Sequence, residues 1–205
     1  MHLYYFETLN PRKACAVAKY VNAPVEYVLL DIRKMEQRGP SHIARNPNGR
    51  VPVLVTPEKT LWESLAIMVY LASKAKSPLW PEDPLAQAEV LRWASFDAFH
   101  VMPRAGVFYF ERYIKPMLGL GAPDEQAIAK ATPLFHQSAK VLDAHLADQR
   151  WVAGDALSIA DFCLAATLPQ ADAIGLPLEP YANVRKWHDR LLEIDAWRDP
   201  WPAKA

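Results

Sequence analysis

A proline stands second in the apolar run Val51-Pro52-Val53-Leu54-Val55. The run has the composition of a strand, but proline has no N–H to give to a ladder, so Pro52 belongs at a strand start or a sheet edge. The stretch before it, Arg45-Asn46-Pro47-Asn48-Gly49-Arg50, is a loop by its turn residues. An X-Pro bond at such a junction is a candidate for the cis form. A cis bond there turns the N–H and C=O of Val51 sideways, free to pair with an extended, peptide-like ligand. The plainer reading is that Pro52 only protects a strand edge. Proline is abundant throughout, 18 against 7 Gly in 205 residues. That excess does not signal disorder, because 51% of the chain is hydrophobic and only 22% is charged, enough apolar surface to build a core.

The elements around Pro52 follow from periodicity. His2–Phe6 is rich in β-forming aromatics and reads as a first strand. Asn10-Pro11 supplies a helix cap and a residue suited to the first helical position, and Ala14, Val17, Ala18 and Val21 share one face of the helix that follows. Val25–Leu30 is a second strand, Val51–Val55 a third, and Thr60-Leu61-Trp62 the returning strand of a hairpin. Glu63-Ser64 then opens a helix with Leu65, Met68, Val69 and Ala72 on one side. This βαβ order followed by ββα, with a proline ahead of the third strand, is the thioredoxin arrangement.

Beyond residue 75 the pattern changes. Lys76–Pro84 (KSPLWPEDP) carries three prolines and no period, which marks a linker. No strand signal follows it. A long helical stretch begins near Leu85 and is kinked or interrupted at Met102-Pro103. Gly119–Pro123 is a loop, a helix runs on to about Asp148, and Ser158-Ile159-Ala160-Asp161 is a capping box at the head of an apolar helix. Val184, Trp187, Leu191 and Ile194 mark a last helix. The expected fold is an α/β unit, thioredoxin-like βαβ-ββα, over 1–75, a Pro-rich linker over 76–84, and an all-α helical bundle over 85–205.

Charge and cysteine usage exclude several functions. Lys+Arg and Asp+Glu are equal at 23 each, which argues against a non-specific nucleic-acid binder. The balance hides a split. Residues 1–75 carry 10 Lys/Arg against 6 Asp/Glu (+4), and the remainder carries 13 against 17 (−4). A small anion suits the N-terminal part. Cys15 and Cys163 have no metal-ligand spacing and form no C-x-x-C pair; both read as buried, reduced thiols of a cytoplasmic protein, with no metal expected. The N-terminus lacks the pattern of a signal peptide, and the longest apolar stretch, Leu65–Ala72, is far too short for a membrane span.

Glu63-Ser64 at a helix start has two readings. Ordinary capping is one. In the other, the N–H groups and the Ser64 hydroxyl receive a carboxylate while Glu63 accepts from an ammonium group, which together recognise the α-amino acid end of a ligand.

The ordered set NPNGRVPVLV, LWESLAIMVYLA and SIAD, with LYYFETLNPRKACAVAKYV in front, resembles the cytosolic glutathione transferase family of bacterial type over nearly the whole chain. The resemblance implies a thioredoxin-like domain that binds glutathione as co-substrate, a helical domain that shapes a pocket for a small hydrophobic electrophile, and a homodimer. By position, Val51 beside a cis Pro52 pairs with the cysteinyl part of glutathione, Glu63 and Ser64 hold the γ-glutamyl end, and Arg50 helps the glycyl end. Ser158 and Asp161 match the family's structural capping box. His100, Arg104 and Phe108, after the proline kink, are the candidate pocket wall; helix packing is the bland alternative.

The catalytic position departs from the family pattern. Where Ser, Cys or Tyr is usual, this chain has Asn10. An amide can donate to a thiolate and lower its pKa, but it can be neither nucleophile nor proton acceptor. Capping and thiol stabilisation compete for that one side chain. Thr8 is the nearest hydroxyl and Tyr5 comes third. The reading is a transferase that adds the glutathione thiol to an electrophile; the alternatives are a non-catalytic binding or interaction module of the same fold, and a glutathione-dependent isomerase or dehalogenase.

Overall fold

The computed structural model describes residues 1–203 and separates into two compact units, Met1–Trp80 with the segment from Glu193 onward, and Pro81–Leu192. In the first unit, β1 (His2–Tyr5), α1 (Leu9–Tyr20) and β2 (Glu26–Leu29) form the βαβ half. Two 3-10 turns and the four-residue α2 (Pro40–Ile43) occupy the charged stretch that has no period in the sequence. Then come β3 (Val53–Val55), β4 (Thr60–Trp62) and α3 (Ser64–Lys74). The sheet order is β2-β1-β3-β4, with β1 and β2 parallel and the other two pairs antiparallel. Leu3, Val53 and Leu54 of the sheet, Ala14, Val17 and Ala18 of α1, and Ile67, Met68 and Leu71 of α3 make the core.

Two expectations are corrected here. Helix α1 begins at Leu9, so Thr8, with φ −135° and ψ 173°, takes the N-cap place that the sequence reading gave to Asn10. The first helical bond runs from Arg12 N–H to the Thr8 carbonyl at 3.0 Å. Pro11 sits inside the first turn, where its missing N–H has no intrahelical acceptor to lose, so proline does not fix the start to one position. The second correction is at the other end. The sequence reading ran the helical domain through 85–205, with 204 and 205 outside the described residues. From Glu193 the chain instead groups with the first unit. Its short helix α11 (Asp195–Arg198) buries Trp197 completely against α1. There the Arg12 guanidinium lies 4.8 Å from the ring and donates to the Trp197 carbonyl at 2.6 Å, while Trp201 stacks on Tyr5 at 6.0 Å. Two tryptophans are too much apolar surface to leave in water.

The second unit is helical throughout. Helix α4 (Pro84–Phe96) starts at Pro84, one residue inside the expected linker, because Asp83 caps it by accepting from Ala86 N–H at 2.8 Å. A π-turn (Asp97–Val101), α5 (Met102–Tyr109), a second π-turn (Phe110–Ile114) and α6 (Lys115–Met117) continue it. Pro103 therefore neither ends nor breaks the helical path: the widened turn before it absorbs the lost N–H. Helix α7 (Glu125–His145), α8 (Ile159–Leu164), α9 (Ala171–Ile174) and α10 (Ala182–Leu192) complete the unit around Phe108, Phe135, Phe162 and Trp187.

The capping box is present and buried. Asp161 Oδ1 accepts from Val152 N–H and Trp187 Nε1–H, each at 2.9 Å, and Oδ2 accepts from Ser158 N–H at 2.9 Å and the Ser158 hydroxyl at 3.1 Å. Burial outweighs these donors and pushes the carboxyl up to about 6. Among the described residues no helix is long and apolar enough to cross a membrane, and no group of three side chains is suited to a metal ion.

Candidate glutathione site

The register of the sheet decides where the predicted site residues meet. Val53 pairs with Tyr4 on one side and Trp62 on the other, both antiparallel. The end of β1, the start of β3 and the end of β4 therefore lie at one edge. Thr8, Val51-Pro52 and Glu63-Ser64, separated by up to 56 positions, arrive there together.

At this edge the Val51–Pro52 peptide is cis. Val51 is half-buried and lies outside the ladder, which starts at Val53, so its main-chain groups are not used by the sheet. The residue before it is pinned. The carbonyl of Arg50 accepts from His42 Nε2–H and from Asn46 Nδ2–H, each at 2.9 Å. Both donors are almost completely buried. Asn46 also accepts from Asn48 N–H at 3.0 Å and closes the turn that Gly49 finishes at φ 59°. A Cβ at Gly49 would lie 2.8 Å from Arg38 Nη1 and 3.1 Å from the Gln37 carbonyl. His42 and Asn46 were not among the residues that the sequence marked for function. The loop signal around Asn46 was visible, but the long-range partner His42 carries no local signature. The Arg50 side chain itself is exposed.

Two helices point their N-termini at the same edge without a side-chain cap. Glu63, the residue before α3, has φ 74° and ψ 120° and makes no capping bond; its side chain is exposed, and Ser64 behind it is buried. A non-glycine residue at such a φ is strained by roughly 1–3 kcal/mol and persists where the surroundings hold it. Thr8, the N-cap of α1, also makes no side-chain capping bond; its hydroxyl has only a long 3.5 Å contact to the Phe6 carbonyl. Each uncapped end presents unpaired N–H groups and the positive end of a helix dipole, a receptor for a negative group. Asn10 is exposed in the first turn of α1, and its side chain makes no hydrogen bond with the described residues.

Tyr5 is taken up by the core. Its ring packs on Tyr27 at 6.0 Å and on Trp201, and burial, then the nearby Cys15 and Glu7, raise its pKa. Cys15 is fully buried in α1, and burial pushes its thiol far up, so it is no nucleophile. In the second unit, Phe108 is buried with its ring 6.1 Å from Phe135, a core position rather than an exposed wall. His100 is exposed and stacks on Phe96 at 5.3 Å; Arg104 folds back onto the Phe99 carbonyl.

The fold and site define a class: a thioredoxin-like unit with a cis-proline beside its third strand, followed in the chain by an all-helical unit. Residues 1–73 match the family described as glutathione S-transferase, N-terminal domain, and residues 125–190 match glutathione S-transferase, C-terminal domain. A probable glutathione S-transferase, GSTF2 of Oryza sativa subsp. japonica, is 31% identical over 191 residues, 89% of this chain and 86% of that protein. Among solved structures, glutathione S-transferase-I bound with lactoylglutathione is 27% identical with a TM-score of 0.88, covering 97% of both chains. A possible glutathione S-transferase from Rhodopseudomonas palustris is 28% identical with the same TM-score, covering 98% of both. The chain belongs to the glutathione S-transferase family.

Proposed function

We propose that this protein is a glutathione transferase whose first unit binds glutathione along the cis-proline edge. The observation that carries this reading is the arrival of an unladdered Val51 and two uncapped helix N-termini at one sheet edge. Val51 pairs its main chain with the cysteinyl residue. The N-terminus of α3, with Ser64, receives the γ-glutamyl carboxylate, and Glu63 accepts from its ammonium group. Arg50 attracts the glycyl carboxylate.

The thiol then falls at the N-terminus of α1. There the Thr8 hydroxyl, free of capping, donates to the sulfur, and the helix dipole favours the thiolate; Asn10, two residues on in the first turn, is the second donor. The thiol proton leaves to solvent. The thiolate attacks an electrophilic carbon of a small hydrophobic substrate, a C–S bond forms, and the leaving group departs with the electron pair of the bond that breaks. The helical unit supplies the electrophile's pocket, with His100 and Arg104 as its polar members. The protein works in the cytoplasm as a homodimer.

Calorimetric titration with glutathione, followed by assays with a nitroaryl chloride and with an organic peroxide, tests the reading. Binding together with thioether formation supports it. Binding without turnover on a broad electrophile panel makes the chain a non-catalytic module, and no binding removes the site.

A further inference from the structure

A second concave site lies within the helical unit. A cavity of about 420 Å³ is walled by the turn from Leu146 to Arg150 on one side and by Asn183, Lys186 and Arg190 of α10 on the other. The spacing of those three α10 residues, i, i+3 and i+7, places them on one helix face. The volume falls in the range of roughly 300–1,000 Å³ usual for small-molecule sites. The lining is polar and cationic: Arg150, Lys186 and Arg190 against the single carboxylate of Asp148.

None of the three cations has a carboxylate partner among the described residues. Arg190 uses one donor within the chain, Nη2–H to the Arg150 carbonyl at 2.9 Å. Its Nε–H is buried with no partner among the described residues, and its guanidinium carbon lies 6.0 Å from the Trp151 ring. The end of α7 lies beside the cavity and favours one nearby cation through its dipole. Part of that demand is already met, because Asn183 Nδ2–H donates to the Asp143 carbonyl at 3.1 Å. Three like charges gathered around one cavity repel one another unless an anion sits between them.

We propose that this cavity binds the phosphate group of a small phosphorylated molecule. Two guanidinium groups offer forked donors that match phosphate oxygens, and an ammonium group adds a point charge. The site shares no residue with the glutathione edge and does not depend on that assignment.

The test titrates the full chain with orthophosphate and with adenosine monophosphate by calorimetry, for the wild type and for Arg190→Gln, Lys186→Gln and Lys130→Gln. The last removes an exposed cation of α7 outside the cavity. One phosphate per chain is expected, weakened about tenfold or more by either cavity substitution, unchanged by Lys130→Gln, and weakened by added salt. Equal affinity for both ligands identifies free phosphate as sufficient, and preference for the nucleotide identifies a phosphomonoester. Lys186 is exposed, so its substitution reports on charge even if Arg190→Gln disturbs the fold. The proposal is overturned if neither ligand binds, or if binding survives both cavity substitutions.

Discussion

His42 Nε2 stands 2.9 Å from the carbonyl oxygen of Arg50, the residue immediately before the Val51–Pro52 cis peptide. Asn46 Nδ2 stands at the same distance from the same oxygen. Two buried donors on one acceptor fix the peptide plane that leads into Val51. His42→Ala or Asn46→Ala removes one donor each, at roughly 0.5–1.5 kcal/mol apiece. Each is expected to raise KM for glutathione about threefold to tenfold and to leave kcat nearly unchanged. Steady-state kinetics at saturating electrophile separates the two; a fall in kcat alone contradicts a positioning role.

Thr8 and Asn10 are separated by what each already does. Thr8 holds the N-cap place without spending its hydroxyl on it, so Thr8→Ala is expected to change stability by less than about 0.5 kcal/mol. The same change is expected to raise the pKa of bound glutathione by about one unit, which is 1.4 kcal/mol, and to lower kcat/KM about tenfold. Asn10→Ala is expected to cost less than about twofold. Thiolate absorbance of the bound complex against pH gives the answer, and the reverse ranking moves the role to Asn10.

At Glu63, function and stability pull in opposite directions. With φ at 74°, the position favours glycine. Glu63→Gly is expected to stabilise the fold by about 1 kcal/mol while weakening glutathione binding about tenfold or more. Glu63→Ala keeps the strain and loses the carboxylate, so it weakens binding without the gain in stability. Chemical denaturation beside calorimetric titration shows both effects, and a destabilised glycine variant refutes the strain argument.

Asp161 sets a pH dependence of known sign. Its folded carboxyl titrates near 6, above the ordinary 3.8, so the native state holds this proton more tightly than the unfolded chain does. The group's contribution to stability is complete below about pH 4 and is lost as pH rises through 6, by an amount on the order of 3 kcal/mol. Against Asp161→Asn, which does not titrate, the wild type is expected to gain by that order between pH 7 and pH 4. Asp161→Ala leaves four donors without an acceptor and is expected to cost about 3–5 kcal/mol at neutral pH. Urea denaturation at the two pH values measures both; a difference that does not change with pH removes the titration from Asp161.

The prolines and the strand periods made most of the architecture legible. Pro52 announces the cis junction because a donor-less residue in an apolar run has few places to go, and the apolar run Val51–Val55, the turn residues of Thr56–Lys59 and Thr60–Trp62 announce a hairpin. Asn10-Pro11 satisfies local rules for a helix start as well as Thr8 does, so the sequence alone does not place the start of α1; which residue leaves the extended region is settled by the exit of β1. Phe108 illustrates a different limit. Its sequence neighbourhood is aromatic and cationic, and nothing local says that this ring turns inward toward Phe135 while Phe110 stays exposed. His42 was silent for the same reason: its acceptor lies eight residues on, across a turn.

The burial of Trp197 against α1 bears on the order in which the protein is made. The thioredoxin-like unit begins at the N-terminus, yet a wall of its core comes from residues beyond Leu192. During synthesis all of Pro81–Leu192 emerges before that wall does. The thioredoxin-like unit is thus completed only after the helical unit has emerged, and until then the face of α1 that Trp197 covers is open for chaperones to meet.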